Sequence, residues 1–301
     1  MKGIDLTFGI PMYNAENFIE ELLNCFDFTD EFNFEVIIID DGSIDKSYEI
    51  CKKFDTPKLK LFKQTNSGVS TTRNNIIDKA NGDWITFIDA DDLIDFKLYK
   101  NVFLNCVKSS KFDYIINSSE NIKNKSIGYL IEQEIINSPW SKFYKVELLH
   151  NSNIRFNSEF FLGEDLLFNL EYYSVCKSYE ILSFDLYKFR KINSQSLTTK
   201  YIPNKIKILI HVNDLCLLLG LGPKVNKSLR YIRIKNNYSS IVDLLNFTKY
   251  NKKEVIQKIK EQKRNTKFKL LVFSRFRNMI YYYSWFLVPS FLLFHFINIM
   301  K

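Results

Sequence analysis

The residues able to do chemistry fall into four clusters. Asp89-Ala90-Asp91, followed by Asp92, closes an apolar run that begins at Trp84. Two carboxylates separated by one small residue at a strand end can face one divalent cation, and hard oxygen ligands suit Mn²⁺ or Mg²⁺. Such a cation neutralises a diphosphate leaving group. An acidic helix cap or a solvated turn is the ordinary alternative. Asp40-Asp41-Gly42-Ser43 closes a second apolar run, Val36-Ile37-Ile38-Ile39. A carboxylate there can accept hydrogen bonds from a nucleobase N–H or from ribose hydroxyls. It can also cap the next helix, a task open to Ser43 and Asp45 as well. The third cluster runs from Asn66-Ser67-Gly68 to Arg73. Gly68 lets the backbone approach a ligand, and the helix it opens favours phosphate or ribose oxygens at its N-terminus. Arg73 can reach a nucleotide or lie on the helix surface. The fourth is Gly163-Glu164-Asp165, at the head of an apolar run. Acids there suit a helix N-terminus by charge alone. One of them could instead be a general base that deprotonates an attacking hydroxyl.

These clusters need elements to position them. Leu6 to Ile10 reads as a short strand ended by Pro11. Asn14 can cap a helix whose apolar residues Ile19, Leu22, Leu23 and Phe26 recur at helical spacing. Val36 to Ile39 is apolar on both faces, as expected of a strand inside a parallel sheet. A helix with Tyr48, Cys51 and Phe54 on one side follows, then a strand from Leu59 to Phe62. The helix opened by Gly68 carries Val69, Ile76, Ile77 and Ala80, and Trp84 to Ile88 is a fourth strand. This alternation predicts right-handed crossovers and an α/β fold, a parallel sheet with helices on both faces. Ligands of such sheets bind outside the carboxyl ends of the strands. The two acidic clusters at strand ends should therefore converge on one cleft.

The remainder is less regular. Residues 112–191 mix patterns, and the chain reads as helical from Ile202 onward, with a soft boundary at Ser194 to Pro203. The chain has 301 residues and a formal net charge of +8. The stretch Lys252–Arg277 holds ten basic residues and two acidic ones, so its surplus equals the net charge of the whole. That concentration argues against a nucleic-acid partner and for a local anionic one. Residues 279–300 contain no Asp, Glu, Lys or Arg and open with Tyr281, Tyr282, Tyr283 and Trp285. A basic stretch before an aromatic-led apolar tail suits an interfacial or spanning membrane segment. A buried helix or an oligomer contact is the competing use. Five scattered cysteines form neither a zinc pattern nor a disulfide framework, which suits a reducing compartment. The N-terminus has no apolar stretch suited to export.

The series Ile10-Pro11-Met12-Tyr13-Asn14, IIIDDGSIDKS, NSGVSTTRNNIIDKANGDWITFIDADD and GEDLLF resembles the family 2 glycosyltransferases. The resemblance spans roughly residues 4–195. It implies an inverting enzyme of the GT-A fold, a Rossmann-like nucleotide-diphospho-sugar transferase fold over residues 1–200. Residues 201–301 would then be a helical, membrane-associating extension. It implies that Asp41 recognises the base, that Pro11 and Tyr13 line the nucleoside pocket, and that Asn66 and Arg73 lie beside the nucleotide. Asp89 would contact ribose and Asp91 would ligate Mn²⁺ or Mg²⁺. Asp165 would be the general base, supported by Glu164. Tyr187, Arg190, Ser194 and Ser196 resemble the segment that closes over the diphosphate. Trp140 resembles an aromatic position near the acceptor in related capsule enzymes, with core packing as its other use.

The function implied is transfer of a sugar from a nucleoside-diphosphate donor, UDP by resemblance, to a glycan or lipid-linked saccharide. The place implied is the cytoplasmic face of a bacterial inner membrane, with a homodimer through the C-terminal region as the competing role for the tail. Two rivals stand beside it. A sugar-nucleotidyltransferase would carry a Gly-rich basic loop near the N-terminus, which Gly9 to Asn17 lacks. A non-catalytic nucleotide-sugar-binding scaffold would be expected to lack Asp91 or Asp165, and both are present.

Overall fold

The computed structural model describes residues 3–190 and 205–247, with isolated positions beyond 255. The elements run β1 (Ile4–Met12), α1 (Ile19–Leu23), β2 (Phe34–Asp40), α2 (Ser47–Cys51), β3 (Leu59–Lys63), α3 (Val69–Lys79), β4 (Gly82–Phe87), β5 (Leu93–Ile94) and α4 (Phe96–Val102), which continues as a π turn over Phe103–Val107. After them come β6 (Tyr114–Ser118), α5 (Ile127–Glu132), β7 (Lys142–Lys145), α6 (Val146–Asn151), α7 (Glu164–Val175), β8 (Tyr179–Ser183), β9 (Tyr187–Lys188), α8 (Lys205–Leu218) and α9 (Pro223–Phe247). The chain divides into two compact units: Met1–Lys125 with Ile136–Ile192, and Ser126–Ile135 with Asn193–Lys301.

The first unit is built on a seven-stranded sheet of order β3-β2-β1-β4-β7-β6-β8. From β3 to β4 the neighbours are parallel, in the β-α-β alternation expected from the sequence. β2 is buried along its whole length, which is why it reads as a continuous β-branched run. Beyond β4 the pattern changes. β7 is antiparallel to both β4 and β6, and β6 runs parallel to β8. The sheet is therefore mixed, and the irregular stretch after Phe112 supplies its second half.

Two sequence expectations are corrected. β1 does not stop before Pro11 but runs to Met12, with Pro11 in register with Ile39. Proline fits because Ile88 N–H bonds to Gly9 and Asp41 N–H to Met12, so residue 11 presents its nitrogen toward β4. The β1–β4 register ends at Gly9 and Phe87, and no ladder bond is lost there. Asn14 does not cap α1, which starts at Ile19 without a side-chain cap. It adopts φ 49° instead, and its side chain accepts a hydrogen bond from Ile44 N–H in the next loop. Ser43 Oγ accepts from Asn14 N–H, Ser47 Oγ from Ala15 N–H, and Asp45 from Glu16 N–H. The loops after β1 and β2 are thus clasped to each other.

An aromatic core fills the space between the sheet and α1 and α4. Phe8, fully buried on β1, meets Phe26, Phe34, Phe96 and Tyr99 at ring separations of 5.1–6.2 Å. A core of this kind fixes β1, β2 and β4 as a rigid floor beneath their carboxyl ends.

In the second unit, α5 packs on α9. A Cβ at Gly128 would lie 2.8 Å from Ser228 Oγ, so glycine sets the approach of these helices. Ser228 Oγ also donates to Glu132. Arg233 pairs with Asp214 to join α8 and α9. Among the described residues, no helix is long and apolar enough to cross a membrane. The stretch 261–277 and nearly all of the tail 279–300 lie outside the described residues, as do Ser194 and Ser196. Trp285 is described and is fully buried.

Candidate active site

The four clusters sit at the carboxyl ends of β2, β3 and β4 and at the head of α7. Asp41 follows β2 and is buried. Its Oδ1 accepts from Ser67 N–H at 2.8 Å and from Gln64 Nε2 at 2.8 Å, and its Oδ2 accepts from Gly68 N–H at 2.9 Å. The carboxylate thus anchors the loop that opens α3. Gly42 has φ 75°, and a Cβ there would fall 2.9 Å from Asn66 N. Only glycine allows this close passage of the two loops. Asn66 and Tyr13 are exposed at the rim, and Pro11 is buried beneath it.

Arg73 is the centre of the arrangement. It lies in the second turn of α3, its side chain only 5% exposed. Its Nη1 donates to Asp165 Oδ1 at 2.8 Å and its Nη2 to Asp89 Oδ1 at 3.0 Å. Its guanidinium lies 5.3 Å from the centre of the Phe156 ring. Burial alone would disfavour its charge, but Asp165, Asp89 and Glu164 outweigh that and raise its pKa. Arg73 therefore holds a residue 92 positions further along the chain.

Asp165 is held at the head of α7, where Gly163 takes a left-handed conformation with φ 80°. Burial raises the pKa of Asp165 although Arg73 pulls it down, and Glu164 and Asp89 add to the rise. Glu164 is raised as well, mainly by burial. A carboxyl held in this way can accept a proton near neutral pH.

Asp91 lies beside Asp89, and no side-chain donor among the described residues reaches its carboxylate. Burial and Asp89 push its pKa up, against Arg190, which pulls it down. Among the described residues, no three His, Cys, Asp or Glu side chains group around one point.

Asp92 does different work. Its Oδ2 accepts from Tyr187 Oη at 2.6 Å and its Oδ1 from Arg190 N–H at 2.8 Å. Tyr187 Oη in turn accepts from Asp89 N–H at 3.1 Å. Burial pushes Asp92 up to about 6 against those two hydrogen bonds. Its bonds, and the β5–β9 pairing, fasten the segment ending at Arg190 to the acidic cluster. Arg190 reaches Glu21 at 2.7 Å. Trp140 stacks on Tyr187 with ring centres 4.7 Å apart and planes 11° apart. Its half-buried ring is thus a wall beside the acids.

Sequence reading missed three residues of this neighbourhood. Gln64 looked like a strand-end polar residue. Asn169 looked like a helix residue, yet it is fully buried. Its Nδ2 donates to the carbonyls of Ile136 and Ser138, and its Oδ1 accepts from Tyr114 and Tyr144. Lys142 is 1% exposed and influences Asp165. A lysine beside Phe143 and Tyr144 in a short strand was the available signal.

With this geometry in hand, the comparisons are specific. The model of Glycosyl transferase family 2 matches residues 7–157. The chain belongs to that family, which sets aside the nucleotidyltransferase reading. The glycosyltransferase GlyA of Streptococcus pneumoniae is 24% identical over 76% of this chain and 36% of that protein. The poly(ribitol-phosphate) beta-N-acetylglucosaminyltransferase TarS of Staphylococcus aureus is 25% identical over 64% of this chain and 37% of that protein. Residues 1–349 of TarS, solved with UDP-GlcNAc, superpose with a TM-score of 0.67 at 21% identity, covering 88% of this chain and 82% of that one. The mannosyltransferase PcManGT of Pyrobaculum calidifontis, solved with GDP-Man and Mn²⁺, gives a TM-score of 0.58 at 11% identity, covering 99% of this chain and 88% of that one. The chain spans little more than a third of the length of GlyA and of TarS. These likenesses establish the fold, a GT-A type α/β sheet.

Proposed function

We propose that the chain is an inverting glycosyltransferase. It takes a sugar from a UDP donor and adds it to a glycan or lipid-linked saccharide used in bacterial cell-surface polysaccharide. The observation that carries this reading is Arg73 bridging Asp89 and Asp165. It holds two acids at a fixed spacing, one of which would face the donor and the other the acceptor. TarS was solved with UDP-GlcNAc, which supports UDP as the nucleotide.

Tyr13, Pro11 and Asn66 would surround the nucleoside, and Asp41, which also holds the Gln64–Gly68 loop, would recognise the base. Asp89 would meet the ribose. A divalent cation, Mn²⁺ or Mg²⁺, held by Asp91 and the donor's own phosphate oxygens, would neutralise the departing diphosphate. Arg73 and Arg190 would add fixed positive charge beside it. Asp165, backed by Glu164, would take the proton of the acceptor hydroxyl as the oxygen attacks the anomeric carbon from the face opposite the leaving group. An α-linked donor would then give a β-glycoside. The Trp140 ring would offer a flat apolar surface to an acceptor sugar.

The test is UDP release from a panel of UDP-sugars with Mn²⁺, with Asp91→Asn alongside. Metal-dependent release from one donor, lost in the variant, is expected. Equal release from both proteins would sink the assignment of Asp91. Tight nucleotide binding without turnover, with acceptor glycans supplied, would instead mark a binding scaffold.

A further inference from the structure

One aromatic ring touches all three elements that carry Arg73 and the two acids it bridges. Phe156, 2% exposed, lies after α6 in the loop that leads to Gly163. Its ring stacks on Phe168 with centres 3.7 Å apart and planes 9° apart. Phe168 comes three residues after Asp165, on the same side of α7. Phe87 ends β4 two residues before Asp89, and it meets the Phe156 ring edge to face at 5.5 Å and 90°. The third neighbour is the Arg73 guanidinium, 5.3 Å from the ring centre, where the ring face attracts a cation.

The ring is held through its backbone. Asn74, beside Arg73 on α3, donates from Nδ2 to the Phe156 carbonyl at 2.8 Å and accepts at Oδ1 from Phe156 N–H at 2.7 Å. The side-chain amide pairs with Phe156 as a neighbouring strand would, and it satisfies both backbone groups of a residue that lies in no strand. Asp78, one helical turn further on, pairs with Arg155 at 2.7 Å, but that contact is exposed and adds little hold.

We propose that Asn74 is a positioning residue for the transfer: by gripping Phe156 it keeps one ring against Arg73, and so fixes the guanidinium that spaces Asp89 from Asp165. The proposal rests on the reading of Asp165 as the general base and of Asp89 as the donor-side acid. Arg73 is bonded at its two ends, Nη1 to Asp165 and Nη2 to Asp89. Its Nε is buried and has no hydrogen-bond partner among the described residues. Two end bonds leave a planar guanidinium able to rock about the line that joins them. The Phe156 ring blocks that motion on one side, and Asn74 stops the ring from sliding away. A tilt of the guanidinium would carry both carboxylates with it, so the grip on Phe156 acts on the spacing of the two acids.

The test uses the whole chain as wild type, Asn74→Ala, Phe156→Leu, the double variant and Asp78→Asn. Alanine suits a helix interior, so α3 is kept in Asn74→Ala. Melting temperature, Kd for UDP with Mn²⁺, and UDP release from the fastest-reacting UDP-sugar are measured on each. Asn74→Ala and Phe156→Leu should each lower kcat about tenfold or more, since a misplaced group can cost about 10². Donor KM and UDP Kd should stay within about twofold, as for an interaction that matters in the transition state. The double variant should fall no further than the worse single one, because both act on one contact. Asp78→Asn removes the neighbouring exposed contact and leaves the ring in place, so kcat should stay within about twofold. The Arg73 Nε–H signal in nitrogen-15 NMR, assigned from Arg73→Lys, should move in Asn74→Ala and Phe156→Leu and stay in Asp78→Asn. A lower melting temperature with kcat kept overturns the proposal. So does an unmoved Arg73 signal, an additive double variant, or an Asp78→Asn chain as slow as Asn74→Ala. A wild type that turns over no donor, with the Arg73 signal moving as expected, overturns the transferase reading, and Asn74's part in turnover falls with it.

Discussion

At the scale of single residues, the site turns on which charges are shared. Asp165 is raised mainly by burial, so its sign of linkage is fixed. An acid whose folded pKa lies above its unfolded value near 3.9 keeps its proton in the fold after the unfolded chain has lost it. Stability then falls as pH rises from about 4 toward the folded value. Asp165→Asn removes that slope while its amide oxygen can still accept from Arg73. Urea unfolding across pH 4–8 should show the wild type losing ground to the variant as pH rises. Sugar transfer by the same variant should fall by about 10²–10⁴. Transfer that survives within a few-fold would remove Asp165 from the base role. The residue types at this scale were largely legible. Asp41, Asp89, Asp91 and Asp165 are polar groups placed where apolar runs end, and a sequence displays that. Arg73 was singled out too, but not its partner, because a side chain's direction across 92 residues is decided by packing.

At the scale of elements, α7 is the organiser. Its first turn carries Glu164 and Asp165, and its second carries Asn169, which satisfies two buried tyrosine hydroxyls and two loop carbonyls. Asn169→Leu keeps the volume and takes a hydrogen-bond partner from all four groups, leaving Tyr144 Oη the Pro139 carbonyl. Unfilled buried hydrogen-bonding groups cost about 1–3 kcal/mol each. A loss of at least about 3 kcal/mol is expected in denaturant unfolding, with turnover falling as the loop that carries Trp140 loosens. A loss under about 1 kcal/mol would show that the loop is held by other means. The first four strands were readable because β2 and its neighbours are apolar runs separated by helical spacing. β6, β7 and β8 were not. β7 is four residues long, and its inward face carries Lys142, a residue type that no hydrophobic pattern predicts. It pairs antiparallel with β4 and β6, the reverse of what strand-helix-strand alternation predicts. The cap assigned to Asn14 failed for a related reason. The side chain had a better partner in the loop after β2, close in space and distant in sequence.

At the scale of the whole molecule, charge is the readable property. The surplus of Lys252–Arg277 equals the net charge of +8, and each lysine or arginine near an anionic surface adds about 1 kcal/mol of attraction. We expect the full chain to sediment with vesicles containing anionic lipid, and less so as salt is raised. A chain ending at Arg264 should keep metal-dependent UDP release and lose most of that binding. Equal binding by both chains would assign the surface contact elsewhere. Loss of self-association on truncation, with no change in vesicle binding, would assign the tail to a homodimer.

The fastening of a loop by Asp41 has a consequence for donor choice. All three hydrogen bonds to that carboxylate come from its own chain, through Gln64, Ser67 and Gly68. Under the proposed assignment, a nucleobase arriving there would meet a loop that is already fastened, with Asp41 Oδ2 holding a single hydrogen bond. Discrimination among uracil, cytosine and guanine would then depend on that carboxylate and on the outline of the loop it fastens. A chain with this loop unfastened would become less choosy about its nucleotide before it became inactive.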